Sequence, residues 1–270
     1  MLKLSGLSAL MICAATMAQA CGGADDVCET RNGTYHISLP DDAYGPVPVV
    51  IFLHGYGSHG MASQNNQVVG QAVRDRGYAL ISPNGLRGQR TTSWNFHPDF
   101  DRGRNEAAFF DEVLEDAAAR HDLDMDRVLL AGFSLGGSMT SYVACNTPGD
   151  YAAFAPVAGS FWRPEPENCS QPVNLFHTHG WRDTVVPIEG REVGSGFIQG
   201  NVFSAFETWR LANGCAQPHA TDMQDDGIFM RRRWDECASD TALELALFPG
   251  GHTVPEGWGD MVLDWFENLP

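Results

Sequence analysis

The chain has 270 residues, 43% of them hydrophobic, and a formal charge of −17. Such an acidic surface repels phosphate backbones and anionic lipid, which excludes nucleic acid as a partner and favours solubility. Lys3 is the only lysine in the sequence, so chemistry at a lysine amine is excluded once the N-terminal segment is gone.

Residues 1–20 read as a cleavable export signal: a basic Lys3, the apolar run LSALMICAATMA and the small-residue pattern Ala18-Gln19-Ala20. The run is shorter than the roughly 20 apolar residues of a membrane span. Cleavage after Ala20 puts Cys21 first and leaves 16 Arg against 34 Asp plus Glu, a balance of −18. A leading Cys21 suits lipid attachment, but Ala18 and Gln19 before it do not, so the expected location is secreted or periplasmic, with anchoring at Cys21 the lesser alternative. About 250 remaining residues suit one domain, and no repeat, low-complexity block or Pro/Ser/Thr-rich linker asks for a second.

Seven cysteines become six when Cys13 leaves, and an even count in an exported protein reads as disulfides. The preferred set joins sequential pairs that close modest loops: Cys21 with Cys28, Cys145 with Cys169, and Cys215 with Cys237. No CxxC pair favours a metal, and His177 with His179, alternating on one strand, lack a clear third ligand.

Six apolar runs rich in β-branched residues follow in order: 47–55, 78–85, 127–134, 153–160, 173–180 and 243–251. Continuous rather than alternating hydrophobicity predicts strands buried on both faces, as in a parallel sheet. Helical patterns lie between them, over 105–124, from about Leu135, over 202–214 and over 256–270. The basic run Arg231 to Arg233 reads as a solvated face. This alternation predicts an α/β fold, a mostly parallel central sheet with helices on both faces, with chemistry at the carboxyl ends of the strands.

Gly132-Phe133-Ser134-Leu135-Gly136 fits G-x-S-x-G between a buried strand and a helix, where a serine is forced onto a tight turn with its hydroxyl projecting from the sheet. The acid and the histidine are then expected on later strand-end loops, in that order. Asp183 follows the run VNLFHTHG and His252 follows LELALFPGG, whereas His219 has no strand before it and Asp222, Asp235 and Asp240 precede the last strand. The expected triad is Ser134, Asp183 and His252. The backbone N–H groups of Tyr56, after the strand VPVVIFL, and of Leu135 are the expected oxyanion donors. His54, Trp94 and Trp181 are candidate substrate contacts, although both tryptophans equally suit packing beneath the loops.

Leu53-His54-Gly55, Ser93-Trp94-Asn95, Gly132 to Gly137, Phe154 to Gly159, His179-Gly180 with Asp183 and Val186-Pro187, Asn213-Gly214-Cys215 and Gly251-His252-Thr253 run in order through the chain. In these it resembles the poly(3-hydroxybutyrate) depolymerase and feruloyl esterase-like family of secreted α/β-hydrolases. The resemblance implies the same triad, supports the Cys145–Cys169 and Cys215–Cys237 bridges, and makes residues 21–270 one α/β-hydrolase catalytic domain. It implies a cofactor-free, metal-free serine esterase acting on an ester small molecule or polymer-derived oligomer. Hydroxyalkanoate esters come first, and feruloyl or acetylxylan esters of plant polysaccharide nearly level; a serine peptidase and a non-catalytic binding protein rank lower. Two departures from the family pattern are expected to matter: a separate linker and polymer-binding domain is not seen in this sequence, and the segment HPDFDRGRNEAAFF lacks paired aspartates that many relatives show.

Overall fold

A computed structural model describes residues 21, 23–88, 91–97, 99, 103–149, 151–194, 196–238 and 240–269. The expected export signal, Cys13 and the Ala20 cleavage site lie outside them. In chain order the elements are β1 (Gly23–Glu29), β2 (Thr34–Ser38), β3 (Val47–Leu53), α1 (Gly60–Gln64), a π-helical turn (Gln67–Gln71), α2 (Ala72–Asp75), β4 (Ala79–Pro83), β5 (Leu86–Arg87), β6 (Thr92–Ser93), α3 (Glu106–Arg120), β7 (Leu123–Phe133) and α4 (Leu135–Asn146). There follow β8 (Ala153–Val157), β9 (Leu175–Gly180), β10 (Glu192–Val193), β11 (Phe197–Ile198), α5 (Val202–Ala212), β12 (Asp222–Asp226), β13 (Phe229–Trp234), β14 (Leu243–Phe248) and α6 (Trp258–Glu267).

The large sheet runs β1-β2-β4-β3-β7-β8-β9-β14-β13-β12. Its centre, β4 to β14, pairs in parallel throughout, and antiparallel strands extend it at both edges. The six predicted apolar runs supply the six parallel strands. Alternate residues of β3 serve opposite faces: Val49, Ile51 and Leu53 pack with α3 and α5, while Val50 and Phe52 pack with α2 and α6. Burial on both sides is why these runs carry no polar alternation.

Two expectations change. The helix expected over 105–124 ends at Arg120, because His121 turns to extended backbone (φ −133°, ψ 148°) and Leu123 already pairs with Val47. The basic run is also more than a solvated face. Arg231 to Arg233 lie in β13, where Arg231 pairs with the buried Glu244 and with Asp226, and Arg233 pairs with Asp222.

The disulfides are Cys21–Cys28, Cys145–Cys169 and Cys215–Cys237. Among the described residues no helix is long and apolar enough to cross a membrane.

Candidate active site

Ser134 stands between β7 and α4 in a conformation that L-residues rarely adopt, with φ 58° and ψ −119°. Such strain persists only where the surroundings over-determine it. Here the Ser134 N–H donates to the Val157 carbonyl at 2.9 Å, tying the turn to the end of β8. The turn also needs bare neighbours: a Cβ on Gly136 would overlap the Leu53 carbonyl oxygen, so only glycine lets α4 lie against the end of β3. The result aims the positive end of a twelve-residue helix at the space beside the serine.

His252 reaches that space from the loop after β14. Its Nε2 lies 2.8 Å from Ser134 Oγ and its Nδ1 lies 2.7 Å from Asp183 Oδ2. Asp183 sits on the loop after β9, and two backbone bonds fasten that loop to the end of β14: Trp181 N–H to the Phe248 carbonyl and Arg182 N–H to the Gly250 carbonyl, each 2.9 Å. The Asp183 carboxylate is fully buried and already solvated by protein. Its Oδ1 accepts the N–H groups of Val185 and Val186, each at 2.8 Å, which leaves Oδ2 for the imidazole. With Nδ1–H donated to the aspartate, Nε2 is left as an acceptor facing the Ser134 hydroxyl.

Behind Asp183 lies a buried imidazole pair. His179 donates Nε2–H to the Val186 carbonyl at 2.7 Å, and its Nδ1 therefore accepts from His177 Nε2–H at 3.0 Å. Burial drives His177 well below the ordinary histidine value and lowers His179 as well, so both rings are neutral. The sequence, lacking a third ligand, favoured a structural role for this pair over a metal site without saying what the role is. The pair's hydrogen bonds brace the loop that holds Asp183.

The early loop His54 to Ser58 passes over the serine. His54 is buried and pulled down to about 4 by burial; its Nδ1–H donates to the Gly55 carbonyl at 2.8 Å and its Nε2 accepts Gly85 N–H at 2.9 Å. Trp94 is fully buried and donates its indole N–H to the His54 carbonyl at 2.7 Å. It lines no part of the cavity beside Ser134, so the expectation of a substrate contact gives way to a brace beneath the loop. No carbonyl among the described residues takes the backbone N–H of Tyr56 or of Leu135. Trp181 is half exposed and also lies outside the cavity lining.

That cavity, of about 470 Å³, is lined by Ser134, His252, the Tyr56 loop and the apolar side chains Phe52, Val69 and Phe133, with His54 in its wall. A cavity of about 570 Å³ lies where β14 begins, at the opposite end of the sheet, and contains neither Ser134 nor His252. Sequence reasoning missed Ser63, Asn66 and Val69 of the cavity wall, because the short α1 and the π-helical turn leave no sustained period in SHGMASQNNQVVGQ.

Sheet order, strained serine turn and hydrogen-bonded relay together define an α/β-hydrolase. The phospholipase/carboxylesterase family model matches residues 40–207. A bifunctional acetylxylan esterase/xylanase of Neocallimastix patriciarum is 27% identical over 56% of this chain, which spans only 21% of that protein. A probable feruloyl esterase C of Aspergillus terreus is 25% identical over 81% of this chain and 82% of its own. The poly(3-hydroxyalkanoate) depolymerase C of Paucimonas lemoignei is 26% identical over 45% and 30%. The solved acetyl xylan esterase from Aspergillus awamori shares the fold, with a TM-score of 0.67 at 15% identity over 87% of this chain and 94% of that one. The chain belongs to the phospholipase/carboxylesterase family and is a carboxylic ester hydrolase.

Proposed function

We propose that the protein cleaves its ester through an acyl-enzyme, with Ser134 as nucleophile, His252 as base and Asp183 as the group that orients the ring. The observation that carries this reading is the unbroken relay from Ser134 Oγ through His252 to the buried Asp183. The serine oxygen attacks the ester carbonyl carbon while its proton passes to His252 Nε2. The imidazolium, stabilised by Asp183, returns that proton to the leaving alcohol. Water then attacks the acyl carbon with the same base, releasing the acid and the serine. The oxyanion formed in both steps accepts from the backbone N–H groups of Tyr56 and Leu135. Ser134→Ala lowers kcat/KM on p-nitrophenyl acetate by at least about 10⁴-fold and ends labelling by a fluorophosphonate probe, with the circular dichroism unchanged. Substantial retained turnover contradicts the mechanism.

Of the two substrate classes expected, feruloyl or acetylxylan esters of plant polysaccharide now lead, supported by a probable feruloyl esterase that aligns along four fifths of both chains. Hydroxyalkanoate esters rank second, because the similar depolymerase aligns over less than half of this chain. Acids released from methyl ferulate, acetylated xylan and hydroxybutyrate oligomers separate the two. The protein acts after export, with residues 1–20 removed and residues 21–270 as one catalytic domain; the three disulfides support an oxidising compartment.

A further inference from the structure

Ser63 departs from its apolar surroundings. It lies in α1, the residue is 6% exposed, and it lines the cavity beside Ser134. A buried serine or threonine in a helix commonly returns its hydroxyl to the carbonyl four residues back, as Thr140 does to Gly136 at 2.9 Å and Ser141 to Gly137 at 3.1 Å. The Ser63 hydroxyl makes no such bond, and no other partner takes it among the described residues. Its oxygen is left without a protein partner at the cavity wall, where an occupant of the cavity can supply one.

Asn66, next along the same wall, is turned by its own hydrogen bonds. Its Oδ1 accepts Val68 N–H at 2.9 Å and Val69 N–H at 3.2 Å, capping the π-helical turn Gln67–Gln71. The two donors of its Nδ2 therefore face away from that turn, and no acceptor among the described residues takes them. The turn itself is held by Gly70 N–H and Gln71 N–H, both donating to the Asn66 carbonyl. π-Helical turns are rare and concentrate at functional sites. This one carries Val69 into the cavity wall and leaves the exposed Asn66 at the mouth.

We propose that this cavity receives the acyl arm of the ester and that Ser63 and Asn66 select acyl groups carrying a hydroxyl or ether oxygen away from the scissile carbonyl. The inference rests on the acyl-enzyme reading above. The alcohol must depart through solvent before water can attack, whereas the acyl group stays attached to Ser134 between the two steps, and a walled cavity suits the part that stays. Phe52, Val69 and Phe133 hold its hydrocarbon or ring, and Ser63 supplies a polar contact in the wall among them. A site that offers a buried hydroxyl discriminates against the analogue lacking a partner for it.

The test compares kcat/KM for matched pairs in wild type, Ser63→Ala and Asn66→Ala: methyl 4-hydroxycinnamate against methyl cinnamate, and methyl 3-hydroxybutyrate against methyl butyrate. Ratios are read within each enzyme, so a general loss of activity cancels. Wild type is expected to favour the hydroxylated member of at least one pair by about tenfold, and Ser63→Ala to reduce that ratio roughly five- to tenfold. The favoured pair tells whether the oxygen belongs to an aromatic or an aliphatic acid. A wild-type ratio near one in both pairs, or an unchanged ratio in Ser63→Ala, overturns the proposal. Turnover of p-nitrophenyl acetate alongside either result leaves the esterase mechanism standing, whereas no turnover and no fluorophosphonate label overturn both.

Discussion

Gly55 passes so close to Ser134 that a Cβ on the glycine would lie 3.3 Å from the Cβ of the serine. A side chain on Gly55 would crowd Ser134 and the Phe133 ring, and the next residue along this loop is Tyr56, the proposed oxyanion donor. Gly55→Val is expected to push the loop outward and cost roughly 100-fold in kcat, with KM for a short p-nitrophenyl ester changing far less. Near-wild-type kcat in a folded Gly55→Val protein refutes the tight approach.

His179 is tied to Asp183 through Val186, whose carbonyl takes the imidazole N–H and whose own N–H goes to the carboxylate. His179→Leu removes the donor to the Val186 carbonyl while keeping apolar bulk, so the Val185–Val186 segment loses its fixed pose and the carboxylate its two N–H donors in register. The expected result is a fall in kcat of roughly tenfold or more at unchanged KM. Steady-state kinetics distinguish this from a stability defect, which lowers the active fraction measured by fluorophosphonate titration instead.

Acid weakens the fold through histidines buried as neutral rings. His54 titrates near 6.5 when unfolded and is pulled down to about 4 by burial, and His177 and His179 shift in the same direction. The unfolded chain therefore binds protons that the native chain refuses. Stability is full above pH 6.5 and drains away as pH falls toward 4. For His54 alone that loss approaches roughly 3 kcal/mol. Melting temperatures measured from pH 7 to 4.5 should fall steadily across this window; a flat or rising profile contradicts the assignment.

The Arg104–Glu106 pair anchors the loop carrying Trp94. Glu106 is fully buried, accepts Asn95 N–H at 2.8 Å and pairs with Arg104 at 2.7 Å, and the guanidinium lies 3.9 Å from the Phe109 ring centre. Burial holds the Glu106 carboxyl above its ordinary value and the Arg104 guanidinium below its own, so each charge depends on the other. Glu106→Gln leaves Arg104 uncompensated and should cost about 3 to 5 kcal/mol in denaturant unfolding. A loss under 1 kcal/mol argues against this coupling.

The central sheet was legible because strands buried on both faces concentrate apolar residues into unbroken runs, and the serine turn because its glycines are demanded by backbone contact. The edge strands were not. β1 reads GADDVCE and β12 reads DMQDD, and an edge exposed to water carries no periodic apolar signal. Ser134, Asp183 and His252 could be picked out from the G-x-S-x-G turn, their places after apolar runs and their chain order. The duties of His54 and Trp94 could not, since a loop brace and a substrate contact draw on the same residue types at the same strand ends. Ser63 and Asn66 escaped because their segment changes from α to π geometry within a dozen residues.

The Cys145–Cys169 bond closes a covalent ring around β8, whose Val157 carbonyl holds the strained serine by its N–H. The exposed stretch at Glu167 and Asn168 lies inside that ring. A protease that cuts there opens the chain without separating its halves, because Cys145, in the helix that follows Ser134, remains joined through sulfur to Cys169 on the far side of the cut. The molecule is thereby suited to surroundings rich in foreign enzymes, where a nicked hydrolase that keeps its serine seated goes on working.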